Sequence, residues 1–148
     1  MFRAVLGTVL AFIVMLFLVG GLLAGAFAAF GADRAYEPGT YDPTLTWIVA
    51  TLVLGFLAAI VGGVIAAKVG GPRAVRILTL LVLALGGVTL VAELTREKEA
   101  TEVRTADVSL MESARHGRQP LWVCVVNPLV GVLGVALGAR KAGAKRKG

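Results

Sequence analysis

The chain has 148 residues, 57% of them hydrophobic, and a formal net charge of +6. A soluble domain is apolar over only about half its residues and spreads them periodically; here they run in long blocks with the charges in the gaps, which leaves no room for a separate soluble domain. The basic surplus flanks those blocks instead of forming one face, so it reads as topology signals and contact with anionic lipid headgroups, with no nucleic acid as partner.

A bilayer core of about 30 Å needs about 20 helical residues. Residues 4–32, 45–67, 74–92 and 121–139 each meet that length with apolar side chains. In the first block, Ala26-Phe27-Ala28 has the small-x-small form of a leader cleavage site. The apolar run is far longer than a leader's core of roughly 7–15 residues, so the first span is expected to be retained.

The first loop, residues 33–44, sets Arg34 against Asp33, Glu37 and Asp42. It ends in Asp42-Pro43. Proline suits a first helical position, and Asp42 is expected to cap the second span. Gly70 and Gly71 are expected to end that span in a tight turn, giving an antiparallel hairpin with the third. The turn carries Lys68, Arg73 and Arg76 and no acid. Residues 93–119 form the longest polar segment. Within it Ser109 and Glu112 match a capping box, which predicts a short surface helix over 110–116 with Leu110 and Met111 against the interface. Glu112, Arg115, His116 and Arg118 are the recognition positions expected there. A solvated His116 is favoured over a His116–Glu112 metal or acid–base pair. Gln119-Pro120 opens the last span, and Arg140, Lys141, Lys145, Arg146 and Lys147 make a basic tail over 140–148.

Segments with bases and no acids fall on alternate connections. They place both termini in the cytoplasm of a multi-pass cell (inner) membrane protein. Tyr36, Tyr41, Trp47 and Trp122 then fall at the outer ends, where amphipathic rings favour the interface. The Ala-, Gly-, Val- and Arg-rich usage hints at a bacterial chain.

Small residues recur in steps of three and four. Gly21 and Gly25 do so in the first span, Gly55 and Gly62 in the second, Gly86 in the third, and Gly131, Gly134 and Gly138 in the fourth. Steps averaging about 3.5 residues hold a stripe against a neighbour in a left-handed bundle. Lipid offers no hydrophobic drive for helix association, so close backbone approach must supply the attraction. The expected fold is an all-α membrane protein forming a single domain over 1–148. Its four transmembrane helices make an antiparallel, left-handed bundle, with a short outer-surface helix before the last span. A stripe facing outward would instead recruit a membrane-protein partner or make a homo-oligomer.

The four blocks hold no Asp, Glu or His. Thr8, Thr51, Thr79 and Thr89 can satisfy their hydroxyls on the preceding turn. Asn127 stands out because Pro128 follows it and frees a backbone carbonyl one turn earlier. Cys124 is the sole cysteine, so neither a disulfide nor a cysteine metal cluster can form within the chain. No nucleophile elbow, zinc-protease or phosphate-loop motif occurs. The expectation is a non-enzymatic structural or accessory protein without metal or cofactor. The alternative is an oligomeric channel or carrier for a small neutral solute, suggested by Asn127-Pro128 and the glycine stripes.

Overall fold

The computed structural model describes residues 1–95, 117 and 119–144. Helix α1 spans Phe2–Phe30, α2 Ala32–Ala35, α3 Leu45–Ile65, α4 Gly71–Thr95 and α5 Leu121–Ala144. A π-helical turn, Ala66–Gly70, joins α3 directly to α4. Among the described residues no strand forms; Tyr36 and Pro43 make an isolated antiparallel bridge.

Three continuous helical stretches are long and apolar enough to cross a membrane: Phe2–Phe30, Leu45–Thr95 and Leu121–Gly143. The second and third expected blocks therefore lie in one 51-residue stretch. Its interruption is local. Gly71 adopts φ 74°, a value that costs a residue without Cβ little. The stretch bends there. Ala59, before the turn, meets Gly134 of α5, and Val82, beyond it, meets Gly131 of the same helix.

Helix α1 packs on α3, the π turn and α4, and α5 packs on α3 and α4. Consecutive α3 and α4 share little direct contact. The close hairpin expected of the second and third spans is thus opened, because each helix turns its small residues toward α1 and α5. Met15 covers Gly62 of α3, while Gly63, the next residue, meets the backbone of Val135. Adjacent residues on a helix point about 100° apart, so Gly62-Gly63 serves two neighbours.

The core is built of small side chains. Ala4, Ala11, Ala59, Ala66, Ala74, Leu78 and Val135 are buried together, with Phe12, Met15, Ile65 and Val75 packed against them. Thr8 is the buried polar side chain among the described residues. Its Oγ1 lies 2.9 Å from the Ala4 carbonyl oxygen and 3.3 Å from that of Ala74, so its proton can serve either. Large apolar side chains cover the outside: Phe17 is 79% exposed, and Leu80, Val88 and Leu133 project similarly. Such a surface is unfavourable in water and ordinary against lipid tails.

The link from α1 to α3 is ordered by local bonds. Gly31, at φ 75°, ends α1, and its N–H donates to the Phe27 carbonyl. After the single turn of α2, the Glu37 N–H donates to the Asp42 carbonyl at 2.9 Å and the Thr44 N–H to that of Ala35 at 2.9 Å. Thr44 caps α3 by accepting from the Trp47 N–H at 3.2 Å. The expected cap, Asp42, is exposed in the turn. Pro43 precedes the cap residue and is not the first residue of the helix, because Thr44 is extended (ψ 154°) and helical geometry begins at Leu45.

Charge is segregated by this packing. The Arg3 carbonyl borders Gly70, and α5 brings Ala139 and Ala142 beside Lys68 and Arg76. Arg3, Lys68, Arg73, Arg76, Arg140 and Lys141 therefore gather at one end, while Asp33, Glu37 and Asp42, with Arg34 among them, sit in the link beyond the other end of α1.

Candidate functional site

The glycine stripes of the sequence fall into three groups. Gly134 and Gly138 of α5 face α3. A Cβ on Gly134 would lie 2.7 Å from Ala59 Cβ and 2.9 Å from the Phe56 carbonyl oxygen, and one on Gly138 would strike the Ile60 carbonyl. Gly131 and Gly86 lie between α5 and α4. A Cβ on Gly131 would meet Val82 Cγ1 at 3.0 Å, and one on Gly86 would meet the Pro128 ring at 2.5 Å. Gly62 lies under Met15. All five lie in helix contacts: Gly134 and Gly138 meet the backbone of α3, while Gly131, Gly86 and Gly62 make room for the side chains of Val82, Pro128 and Met15.

Gly55 is looser, 3.9 Å from Asn127 Oδ1 as measured from an added Cβ. Gly21 and Gly25 face open space. The close approach of α1 occurs instead at Gly7, where a Cβ would sit 2.5 Å from Gly70 N. Aromatic rings make the contact at the far end of α1. Phe27 and Phe30 pack edge-on against Trp47, with centroids 5.9 and 6.3 Å away. Gly25 lies two residues, about 200° of helix, from Phe27 and so faces away from this contact, and both Gly21 and Gly25 are exposed. Tyr36 joins Phe27 at 6.4 Å and Tyr41 at 6.1 Å, and both tyrosines are buried. Of the four aromatics expected at an interface, Trp122 is half exposed, at 50%.

Sequence reasoning missed Gly63 and Thr44. The Gly62-Gly63 pair was the available signal for Gly63. For Thr44 it was the second cap-forming residue beside Pro43.

Asn127 and Pro128 sit about 9 Å along α5 from Leu121, counting about 1.5 Å per residue. The helix continues through Pro128. The Pro128 ring fills the space that Gly86 leaves on α4. Asn127 is exposed, and its amide has no hydrogen-bond partner among the described residues. Cys124, one turn before Pro128, is buried, with Sγ 4.0 Å from Gln119 Oε1.

The threonines behave as membrane helices require. Thr51 donates to the Ile48 carbonyl at 2.8 Å, Thr79 to that of Val75 at 2.9 Å and Thr89 to that of Leu85 at 2.9 Å. Glu93 is half-buried in the last turns of α4. The helix expected over 110–116 and the positions Glu112, Arg115, His116 and Arg118 lie outside the described residues. Among the described residues no group of three His, Cys, Asp or Glu is placed to hold a metal.

No family model, curated protein or solved structure matches this chain. What it does is therefore read from its own surfaces. The described surfaces offer apolar helix faces, one amide within the apolar α5 that lacks a described hydrogen-bond partner, and one cationic end.

Proposed function

We propose that the chain is a small, non-enzymatic multi-pass protein of the cell (inner) membrane, acting as a structural or accessory subunit. Its 51-residue stretch exceeds twice the length a single crossing needs, and it bends at Gly71. That supports two crossings within it and four in all. Contact registers support an alternating, antiparallel arrangement. Gly7, Met15 and Phe27 of the first helix face Gly70, Gly62 and Trp47 in turn, so the numbers fall along one partner as they rise along the other. The recurring steps of three and four support left-handed crossings. Cations gathered at the end that holds Arg3 and Arg140 support both termini in the cytoplasm.

The observation that carries the accessory role is Asn127. An amide facing hydrocarbon without a hydrogen bond is costly, and polar side chains at that depth serve helix–helix contact or a pathway. A neighbouring protein that meets Asn127 removes the cost. The loop over 93–119, with Glu112, Arg115, His116 and Arg118, would extend recognition beyond the membrane. A photocrosslinker at position 127, activated in native membranes, tests the role. A discrete second protein in the adduct supports it; adducts with lipid alone refute it. Deleting residues 96–116 tests the loop, which has no role if every captured partner is retained.

The second reading is an oligomeric channel or carrier for a small neutral solute. It is favoured by the small residue Gly55, which lies beside the Asn127 amide, an added Cβ there being 3.9 Å from Asn127 Oδ1. Self-crosslinked chains at position 127, with solute flux in liposomes that Asn127→Leu abolishes, would select it.

A further inference from the structure

At the cationic end the π turn, the start of α4 and the end of α5 enclose an open cleft of about 760 Å³. Lys68 and Arg76 line it, and among the described residues no acidic one does. The rest of the wall is apolar and includes Pro72, Val75, Ala139 and Ala142. Both cations are exposed, and neither has an ion-pair partner among the described residues. This is a composite surface: two positive charges above an apolar wall, at the depth where three apolar helices end.

We infer that this cleft binds one anionic glycerophospholipid, its phosphate between Lys68 and Arg76 and the upper part of an acyl chain along Val75, Ala139 and Ala142. The chemistry chooses a lipid over a soluble phosphate ester. A free anion would need polar donors on several sides, whereas most of this wall offers only carbon. The volume lies within the roughly 300–1,000 Å³ that holds a drug-sized molecule, enough for a headgroup and a short length of chain. Basic pockets between membrane helices are the sites where anionic headgroups lodge. This differs from a diffuse attraction of basic residues to a charged bilayer, because Arg73 and Arg140 lie at the same end but outside the cleft wall. It rests on the chain being membrane-embedded and on no particular partner.

The test uses the full chain in nanodiscs of phosphatidylcholine with one-fifth phosphatidylglycerol, released into a native mass spectrometer. Wild type is expected to retain one phosphatidylglycerol in preference to phosphatidylcholine. Each cation near an anionic headgroup is worth roughly fivefold in binding, so Lys68→Gln with Arg76→Gln is expected to cut the preference by roughly thirtyfold. Arg73→Gln with Arg140→Gln, the same loss of charge outside the wall, is expected to leave the retained lipid in place. Both targets are exposed, so neutralising them leaves the core packing untouched. Equal retention of the two lipids by wild type overturns the assignment, as does an equal loss in both double variants. Displacement of the lipid by millimolar inorganic phosphate would show that the anion alone suffices, and would overturn the lipid reading too. Resistance to alkaline carbonate extraction, measured on every variant, reports membrane insertion separately. A failed lipid site is thereby told apart from a failed membrane assignment.

Discussion

Pro128 of α5 occupies the space that a side chain on Gly86 of α4 would need: an added Cβ would lie 2.5 Å from Pro128 Cβ and 2.6 Å from Cγ. A glycine on one helix thus makes room for a proline on the other. Without a hydrophobic drive between membrane helices, this fit supplies much of the α4–α5 attraction. Gly86→Val is expected to force the helices apart and destabilise the fold by about 1–3 kcal/mol. The adjacent Gly87 has nothing within 4 Å of its would-be side chain, so Gly87→Val is expected to be nearly silent. Reversible unfolding in mixed micelles, followed by circular dichroism, compares them. Equal losses at the two positions would refute the interface.

The two ends of α1 make opposite predictions. At Gly7 a methyl group would meet Gly70 N at 2.5 Å and its Cα at 2.6 Å, and main chain cannot rotate away. Gly7→Ala is expected to cost about 1–3 kcal/mol. Gly21→Ala and Gly25→Ala meet open space, and replacing helical glycine by alanine is expected to gain about 0.5–1 kcal/mol each in the isolated chain. Should those two substitutions weaken capture of a partner in native membranes while leaving the purified chain stable, the exposed face of α1 is the recruiting surface. The same unfolding assay and a pull-down from detergent extract separate the two effects.

How far the sequence foretold this depends on which interactions are local. Apolar blocks are contiguous in the chain, so the helical, membrane-type character was legible; that the second and third blocks join in one stretch through a π turn was not. A stripe of small residues shows where close approach is permitted, and it cannot show where two helices diverge. Gly21 and Gly25 belong to such a stripe but are exposed, while Phe27, on a different side of α1, meets Trp47, a contact between residues far apart in sequence. Similarly, the sequence singled out Gly62, which lies under Met15, whereas its neighbour Gly63 meets Val135 only because α5 packs on a second face of α3. Asp42 and Thr44 both have cap chemistry beside Pro43; the bond from Thr44 back to the end of α2 decides between them.

Thr8 is the polar side chain sealed inside the core, with carbonyls of α1 and α4 both in reach of its hydroxyl. Thr8→Val keeps the shape and removes the donor. The bond within its own helix is replaceable, since the Ala4 carbonyl is already engaged as a helical acceptor; the reach to Ala74 is the interhelical part. The loss is expected to be about 0.6–2 kcal/mol, the range for a polar contact between membrane helices. Thr89→Val provides the comparison, because Thr89 is exposed and bonds only to Leu85 one turn back. A Thr89 effect as large as that of Thr8 would mean the bond to Ala74 contributes nothing.

Thr44 ties three pieces of chain together. Its Oγ1 accepts from the Trp47 N–H at 3.2 Å and donates to the Arg34 carbonyl at 2.7 Å, and its own N–H donates to Ala35 at 2.9 Å. The hydroxyl therefore caps α3 while fixing the end of α2 against it, which in turn seats Trp47 beside Phe27 and Phe30. Loss of an N-cap costs about 0.5–2 kcal/mol, and the second bond places Thr44→Ala near the upper figure. Thr44→Ser keeps both bonds and is expected to stay close to wild type. Asp42→Ala is expected to fall within about 0.5 kcal/mol, since the Asp42 carboxylate caps nothing and only its backbone joins the turn. Thermal unfolding in detergent measures all three. Tryptophan fluorescence in a Trp122→Phe background adds a local readout, because a loosened helix start should shift Trp47 emission to the red in Thr44→Ala and not in Thr44→Ser. If Asp42→Ala costs as much as Thr44→Ala, then α3 starts at Asp42-Pro43 after all, and the coupling of α2 to α3 through Thr44 is wrong.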